Sequence, residues 1–335
     1  MNRCLALFLS ASILHGFAPA AFGAGLDQDE VRRAATTAHS LFLDSTGRVS
    51  AIETFIDLVR IKGPSGNEQA VAEEIKSLLS RTGAVFARQQ TTNPKAPHNL
   101  VMEIPASGAL AGQQAILLNA HLDTIKSSTP ELLAFDPGSR DFYHPDESSS
   151  TKISSFGGDD RSAVAVIVEC VRVLHTKYWS HGVAHRRLVL VFTAEEEVGC
   201  LGAKYLSRHE PELFNNAKFT LSMDGPLDLH SKYPEDSFVA VCLETDRSTQ
   251  PYKNLLELFG RFCERTKTRF ANTEVGLGMG DFAFFPPSAR AGLHLRSPVR
   301  GWHNKERVNL QDQINHIDLL CYLLLGFDGK IPADL

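Results

Sequence analysis

Cysteine is scarce and scattered. The 335-residue chain has six. Cys4 falls in a leader-like stretch, and the other five, Cys170, Cys200, Cys242, Cys263 and Cys321, form no Cys-x-x-Cys pair. Neither a zinc ribbon nor a disulfide framework is signalled, and buried free thiols are the expected state. A surplus of basic residues is missing too: 34 Lys+Arg face 39 Asp+Glu for a net charge of −5, which argues against a partner held through nucleic-acid phosphates. Apolar runs fall short of the roughly 20 residues that a membrane span needs. There is no fixed-period repeat and no Gly-x-Ser-x-Gly nucleophile elbow. His209-Glu210-Pro211-Glu212-Leu213 lacks the second histidine of a zincin helix. Gly276-Leu277-Gly278-Met279-Gly280 lacks the strand-to-helix setting of a nucleotide loop and reads as a plain glycine-rich loop.

What is present is an ordinary globular composition, 43% hydrophobic and 22% charged, on a chain long enough to bury a sizeable core. The N-terminus is the exception. Arg3, an apolar run over 4–17 and small residues up to Ala24 have the make-up of a secretory signal. Small-x-small cleavage patterns end at Ala20 and at Gly23, the latter preferred. The expected arrangement is a signal peptide over 1–23 and a single catalytic domain over 24–335. Export would make the protein secreted or periplasmic, with no membrane anchor after cleavage.

Apolar spacing is helical between 27 and 79, and Ser65-Gly66-Asn67-Glu68 has the form of a capping box ahead of the stretch 70–79. Beyond it, strand patterns at 99–104, 115–120, 188–192, 219–223, 238–243 and 292–296 alternate with helical ones at 162–175, 202–208, 252–265 and 312–325. Alternation of this kind implies an α/β fold, a three-layer sandwich around a mostly parallel mixed sheet. The longest irregular piece, 126–156, is rich in Ser, Thr, Pro and Asp and has the length of a functional loop.

Five segments with chemistry to explain sit at strand ends or in adjoining loops. An apolar strand delivers His121-Leu122-Asp123, two side chains on one face, so that Asp123 can orient the imidazole of a metal-binding His121. Gly157-Gly158-Asp159-Asp160-Arg161 opens a helix and could equally cap it. Glu195-Glu196-Glu197-Val198-Gly199 follows a buried strand; three adjacent acids repel one another unless a cation is shared, one is protonated or the turn is solvated. Met223-Asp224-Gly225 ends another strand, and Gly301-Trp302-His303-Asn304 comes late. Ligands of α/β sheets gather at the carboxyl edge, and histidines with carboxylates form a donor set that zinc accepts.

This ordered set resembles the co-catalytic zinc exopeptidases of clan MH, and most closely the M20 family, which includes tripeptide aminopeptidase. The resemblance begins around Ile61-Lys62-Gly63-Pro64-Ser65-Gly66-Asn67-Glu68, similar to the family's Pro-Ser-Gly-Asn-Glu stretch, and runs to Val308. It implies two Zn2+ ions, one held by His121 and Asp224, the other by Glu197 and His303, with Asp159 bridging and a cis peptide after it. The catalytic residues would be Glu196 as general base, its register fixed by Gly199, and Asp123 behind His121; Glu195 stays outside the ligand set. One departure matters: only 79 residues separate Asp224 from His303, too few for the lid domain that M20 enzymes insert there. The outline is closer to the lidless M28 and M42 aminopeptidases, so a monomer acting on small peptides is expected. Alternatives are a carboxypeptidase or amide deacylase on the same metals, and a one-zinc acyltransferase of the glutaminyl-cyclase kind. Seven acids against three bases in the rim stretches 126–156 and 273–284 favour a substrate's free amine. Asp281 there could face that amine or cap a helix.

Overall fold

The computed structural model describes residues 26–89, 98–146, 154–227, 238–242, 249–273, 280–301 and 303–332. The leader at 1–23 lies outside them, as do Glu147, Lys152, Glu274 and Trp302. Three helices come first, α1 (Gln28–Thr36), α2 (Ser45–Arg60) and α3 (Gln69–Leu79), then the strands β1 (Val85–Gln89), β2 (Leu100–Ile104) and β3 (Ala115–His121). Two short strands, β4 (Ala134–Asp136) and β5 (Asp141–Tyr143), precede α4 (Gly158–Lys177). The centre continues with β6 (Leu188–Thr193), α5 (Leu201–His209), α6 (Glu212–Asn215) and β7 (Ala217–Pro226). β8 (Phe238–Cys242), α7 (Gln250–Thr266), β9 (Arg269–Thr273), β10 (Gly292–Ser297), β11 (Arg307–Asn309) and α8 (Leu310–Phe327) complete the chain.

Eight strands form one mixed sheet in the order β1-β2-β6-β3-β7-β10-β8-β9. Its centre is parallel, β6 and β7 flanking β3 and β10 joining β7. Strand periodicity splits the core in two. Ile116, Leu118 and Ala120 of β3 face the layer of α2, α3, α4, α7 and α8, whereas Ala115 and Leu117 face α5 and α6. The result is the three-layer α/β/α sandwich that the alternating pattern implied. β8, β9 and β10, which lie between Asp224 and His303, belong to this same sheet. No described helix is long and apolar enough to cross a membrane.

Two readings need correction. The stretch 126–156 is not wholly irregular: β4 and β5 form a hairpin that β11 extends into a three-stranded sheet. Strands of three residues leave too short a period to detect. Nor does Ser65-Gly66-Asn67-Glu68 form a capping box, because α3 begins without a side-chain cap bond. The Ser65 hydroxyl donates instead to Asp123 Oδ2 at 2.7 Å, and Glu68 Oε1 accepts from the amides of Gly66 and Glu195. Tertiary partners have won over the local one. Cys170, Cys200, Cys263 and Cys321 are free and buried.

Candidate active site

The parallel order β6-β3-β7 lays three carboxyl ends side by side. His121 is the last residue of β3 and pairs with Thr193, the last of β6, so the turn bearing Glu196 and Glu197 starts beside it. Asp224 lies near the end of β7. The other two segments come from above the sheet edge: Asp159 from the head of α4 and His303 from the turn that precedes β11. At the head of α4 Gly157 has φ 89° and no side chain caps the helix. Asp159 and Asp160 are non-helical, with a cis peptide between them, and their carboxylates turn into the site rather than onto helix amides. Asp160 accepts from the His121 amide at 3.2 Å and from the Ser297 hydroxyl.

Asp159 stands between the two histidines. Its Oδ1 is 3.5 Å from His121 Nε2 and its Oδ2 is 3.4 Å from His303 Nε2. Asp224 Oδ1 is 3.8 Å from His121 Nε2, and Glu197 Oε1 is 2.9 Å from His303 Nε2. His121, Asp159 and Asp224 thus form one potential ion-holding group, and Asp159, Glu197 and His303 a second. Glu196 Oε2 lies 4.0 Å from His121 Nε2. Asp123 lies behind them: His121 Nδ1 faces its main-chain oxygen at 3.0 Å and its carboxylate Oδ1 at 3.4 Å, and that carboxylate accepts from the amides of Glu196 and Glu197 at 2.9 and 3.1 Å. One aspartate therefore orients the imidazole and fixes the acidic turn. Glu195, at φ 56°, only carries the backbone through that turn.

So many acids in so little water is electrostatically uncomfortable. Burial and then the charge of Asp224 push Glu196 up to about 9, and burial raises Asp224 and Asp160. Burial would raise Asp159 as well, yet the imidazoles of His121 and His303 that face its two oxygens hold it below its usual range. His303 moves the opposite way, lifted to about 10 by Asp159 and Glu197 against its own burial. Protons are standing in for missing positive charge. Two buried oxygens, Asp159 Oδ1 and Glu197 Oε1, accept no hydrogen bond. Unsatisfied carboxylate oxygens beside imidazole nitrogens fit zinc.

Sequence reasoning missed most of the support. Arg161 is fully buried, beside Asp123, Glu68 and Asp160, and burial lowers it to about 10. Asp281 neither faces the rim nor caps a helix: it is 2% exposed and accepts from the Thr193 hydroxyl at the end of β6. Gly280, at φ 81°, passes so close that a Cβ there would lie 2.0 Å from Asp224 Oδ2. Only the run of glycines hinted at such a close approach.

Residues 99–320 match peptidase family M28. The chain belongs to that family, and with it to the zinc metallopeptidases. The M20 family, whose motif order it resembles, is not the one that matches. A probable carboxypeptidase of Emericella nidulans is 30% identical over 177 residues, covering 53% of this chain and 36% of that protein, so the chain spans about a third of that relative's length. Among solved structures, the aminopeptidase PepT of Bacillus cereus ATCC 10987 superposes with a TM-score of 0.60 at 14% identity, over 82% of this chain and 97% of that one. The LapA aminopeptidase of Legionella pneumophila gives 0.57 at 16% identity, over 94% and 79%. At such identities the likeness is one of fold.

Asp123→Ala should loosen both the imidazole and the acidic turn. Zinc affinity and kcat/KM are each expected to fall about 10–100-fold, read by dialysis against a graded chelator and by peptide hydrolysis. Unchanged metal affinity would deny Asp123 its part in holding His121.

Proposed function

We propose that the protein is an exported di-zinc aminopeptidase that trims N-terminal residues from small peptides, a single catalytic domain over 24–335 behind a cleaved leader. The observation that carries this reading is Asp159, whose two carboxylate oxygens address His121 on one side and His303 on the other. His121 and Asp224 would hold one ion, Glu197 and His303 the second, and Asp159 both. Ions so bound supply a water of lowered pKa and a polarised scissile carbonyl. Glu196 takes the water's proton and returns it to the leaving amine. The Cys200 thiol, 3.3 Å from Glu196 Oε1, and the Asp123 bond to its amide keep that carboxyl in place.

Recognition of the free amine rests on the site's own charge. Of the described rim acids, Glu131 pairs with Lys62, Asp141 pairs with Arg307 and Asp281 is buried, so less of the rim surplus counted in the sequence is left to act. Deeper in, the eight carboxylates of Glu68, Asp123, Asp159, Asp160, Glu196, Glu197, Asp224 and Asp281 outnumber the six positive charges of two dications, Arg161 and Arg296. A net negative pocket favours an ammonium over a carboxylate. The second reading, a carboxypeptidase or deacylase, is favoured by the carboxypeptidase name of the Emericella relative.

Glu196→Ala is expected to lower kcat at least about 100-fold while both zinc ions stay bound by elemental analysis. Loss of zinc along with activity would make Glu196 a ligand instead. Acetylating a peptide's N-terminus should cut kcat/KM at least tenfold, about 1.4 kcal/mol of transition-state binding; equal rates with residues lost from the C-terminus would promote the second reading. Because the interval from Asp224 to His303 contributes strands to the main sheet and not a separate lid, the chain is read as a monomer. A tight dimer in light scattering at micromolar concentration would contradict that.

A further inference from the structure

Glu306 is fully buried, three residues after His303, and its carboxylate is spent on backbone. Oε2 accepts from three successive amides, Phe156 at 3.1 Å, Gly157 at 3.1 Å and Gly158 at 2.9 Å. In return the Glu306 amide donates to Ser154 O at 3.1 Å. The strand that follows His303 is therefore zipped to the segment that leads into Asp159. These are the two residues that share the second ion in the proposed function, and they come from opposite halves of the chain. Nothing else about Glu306 explains an acid at that depth: no described ion pair involves it, and it lies too deep to meet a substrate.

We infer that Glu306 is a positioning residue, a carboxylate clamp that ties the His303 turn to the Asp159 turn so that the second ion finds both ligands already at ligand spacing. Such a clamp acts through reach, not charge. Three N–H groups need an acceptor at one point, and a carboxamide oxygen can serve as well as a carboxylate oxygen. Withdrawing the acceptor by one methylene should release the turns. The inference rests on the di-zinc reading, and it bears most on the second ion, which would take both Asp159 and His303 from the clamped turns, whereas the first would take only Asp159.

The experiment uses the full chain and zinc alone as the probe. Binding is followed by dialysis against a graded chelator with elemental analysis, and folding by thermal unfolding of the metal-free protein. For Glu306→Ala and Glu306→Asp one of the two zinc steps should drop at least about 10-fold, the range typical of groups that support metal ligands. The other step, which shares only Asp159 with the clamped turns, should fall less, and Glu306→Gln should hold both. Asp318→Ala is the control: Asp318 makes the same kind of clamp, on Ser40, Leu41 and Phe42, far from the site, so it should lower the unfolding temperature and leave zinc binding alone. Should Glu306→Ala fail to fold, Glu306→Asp against Glu306→Gln still decides. Equal loss in the Gln and Asp variants would overturn the clamp, as would lowered unfolding temperature with both zinc steps intact. A parent chain that binds fewer than two zinc ions would overturn the di-zinc reading itself, separately visible before any variant is compared.

Discussion

Everything at this site follows from the mutual repulsion of buried carboxylates. Asp159, Glu196, Glu197 and Asp224 converge within a few ångströms of two imidazoles, in surroundings that penalise every negative charge. A fold tolerates such a cluster only by supplying opposite charge, and two histidines with two buried arginines, Arg161 and Arg296, do not suffice. The remaining deficit is the driving force for taking up cations. The sheet makes the cluster possible because β6, β3 and β7 run parallel and end together, which no antiparallel meander would arrange.

The support around the cluster is built largely from backbone. Asp123 grips the amides of Glu196 and Glu197, Glu68 grips that of Glu195, Asp160 that of His121, and Glu306 those of 156–158. Side chains that reacted would be exposed to substrate; these are sealed, and each spends at least one carboxylate oxygen on main-chain N–H groups. Two tiers of acid result, an inner one that faces the imidazoles and an outer one that grips backbone.

How far the sequence discloses this depends on range. His121-x-Asp123 is legible because both residues lie on one strand of plain period two, and Gly199 fixes which glutamates matter in a run of three. The sheet's central strands are equally plain, being long and mostly apolar. The Asp159-Asp160 pair is ambiguous by sequence, since helix capping and ligation want the same residue type. Only the non-helical backbone at the head of α4 separates the two. Ser65 and Glu68 mislead: their spacing satisfies a local rule, but Ser65 turns to Asp123 and Glu68 adds the distant amide of Glu195 to the nearby one of Gly66. Glu306 leaves no trace at all, because its acceptor role toward 156–158 is set by the crossing of β11 over the α4 segment. The M20-like order of motifs points to the right clan, and the short Asp224-to-His303 interval already leans away from lid-bearing members.

Gly280 shows what the tightness of this arrangement entails. With no side chain it lets a turn lie directly on the Asp224 carboxylate, and Asp281 next to it closes onto Thr193. His121 and His303 stand 182 residues apart, and the turn at 280 comes late in the chain. No amino-terminal fragment thus holds a complete site, and contacts so distant in sequence are closed late in folding. A chain that stops short of His303 would carry the carboxyl ends of β6, β3 and β7 but lack the imidazole that Glu197 faces, so the cluster is completed only by the last stretch of the fold.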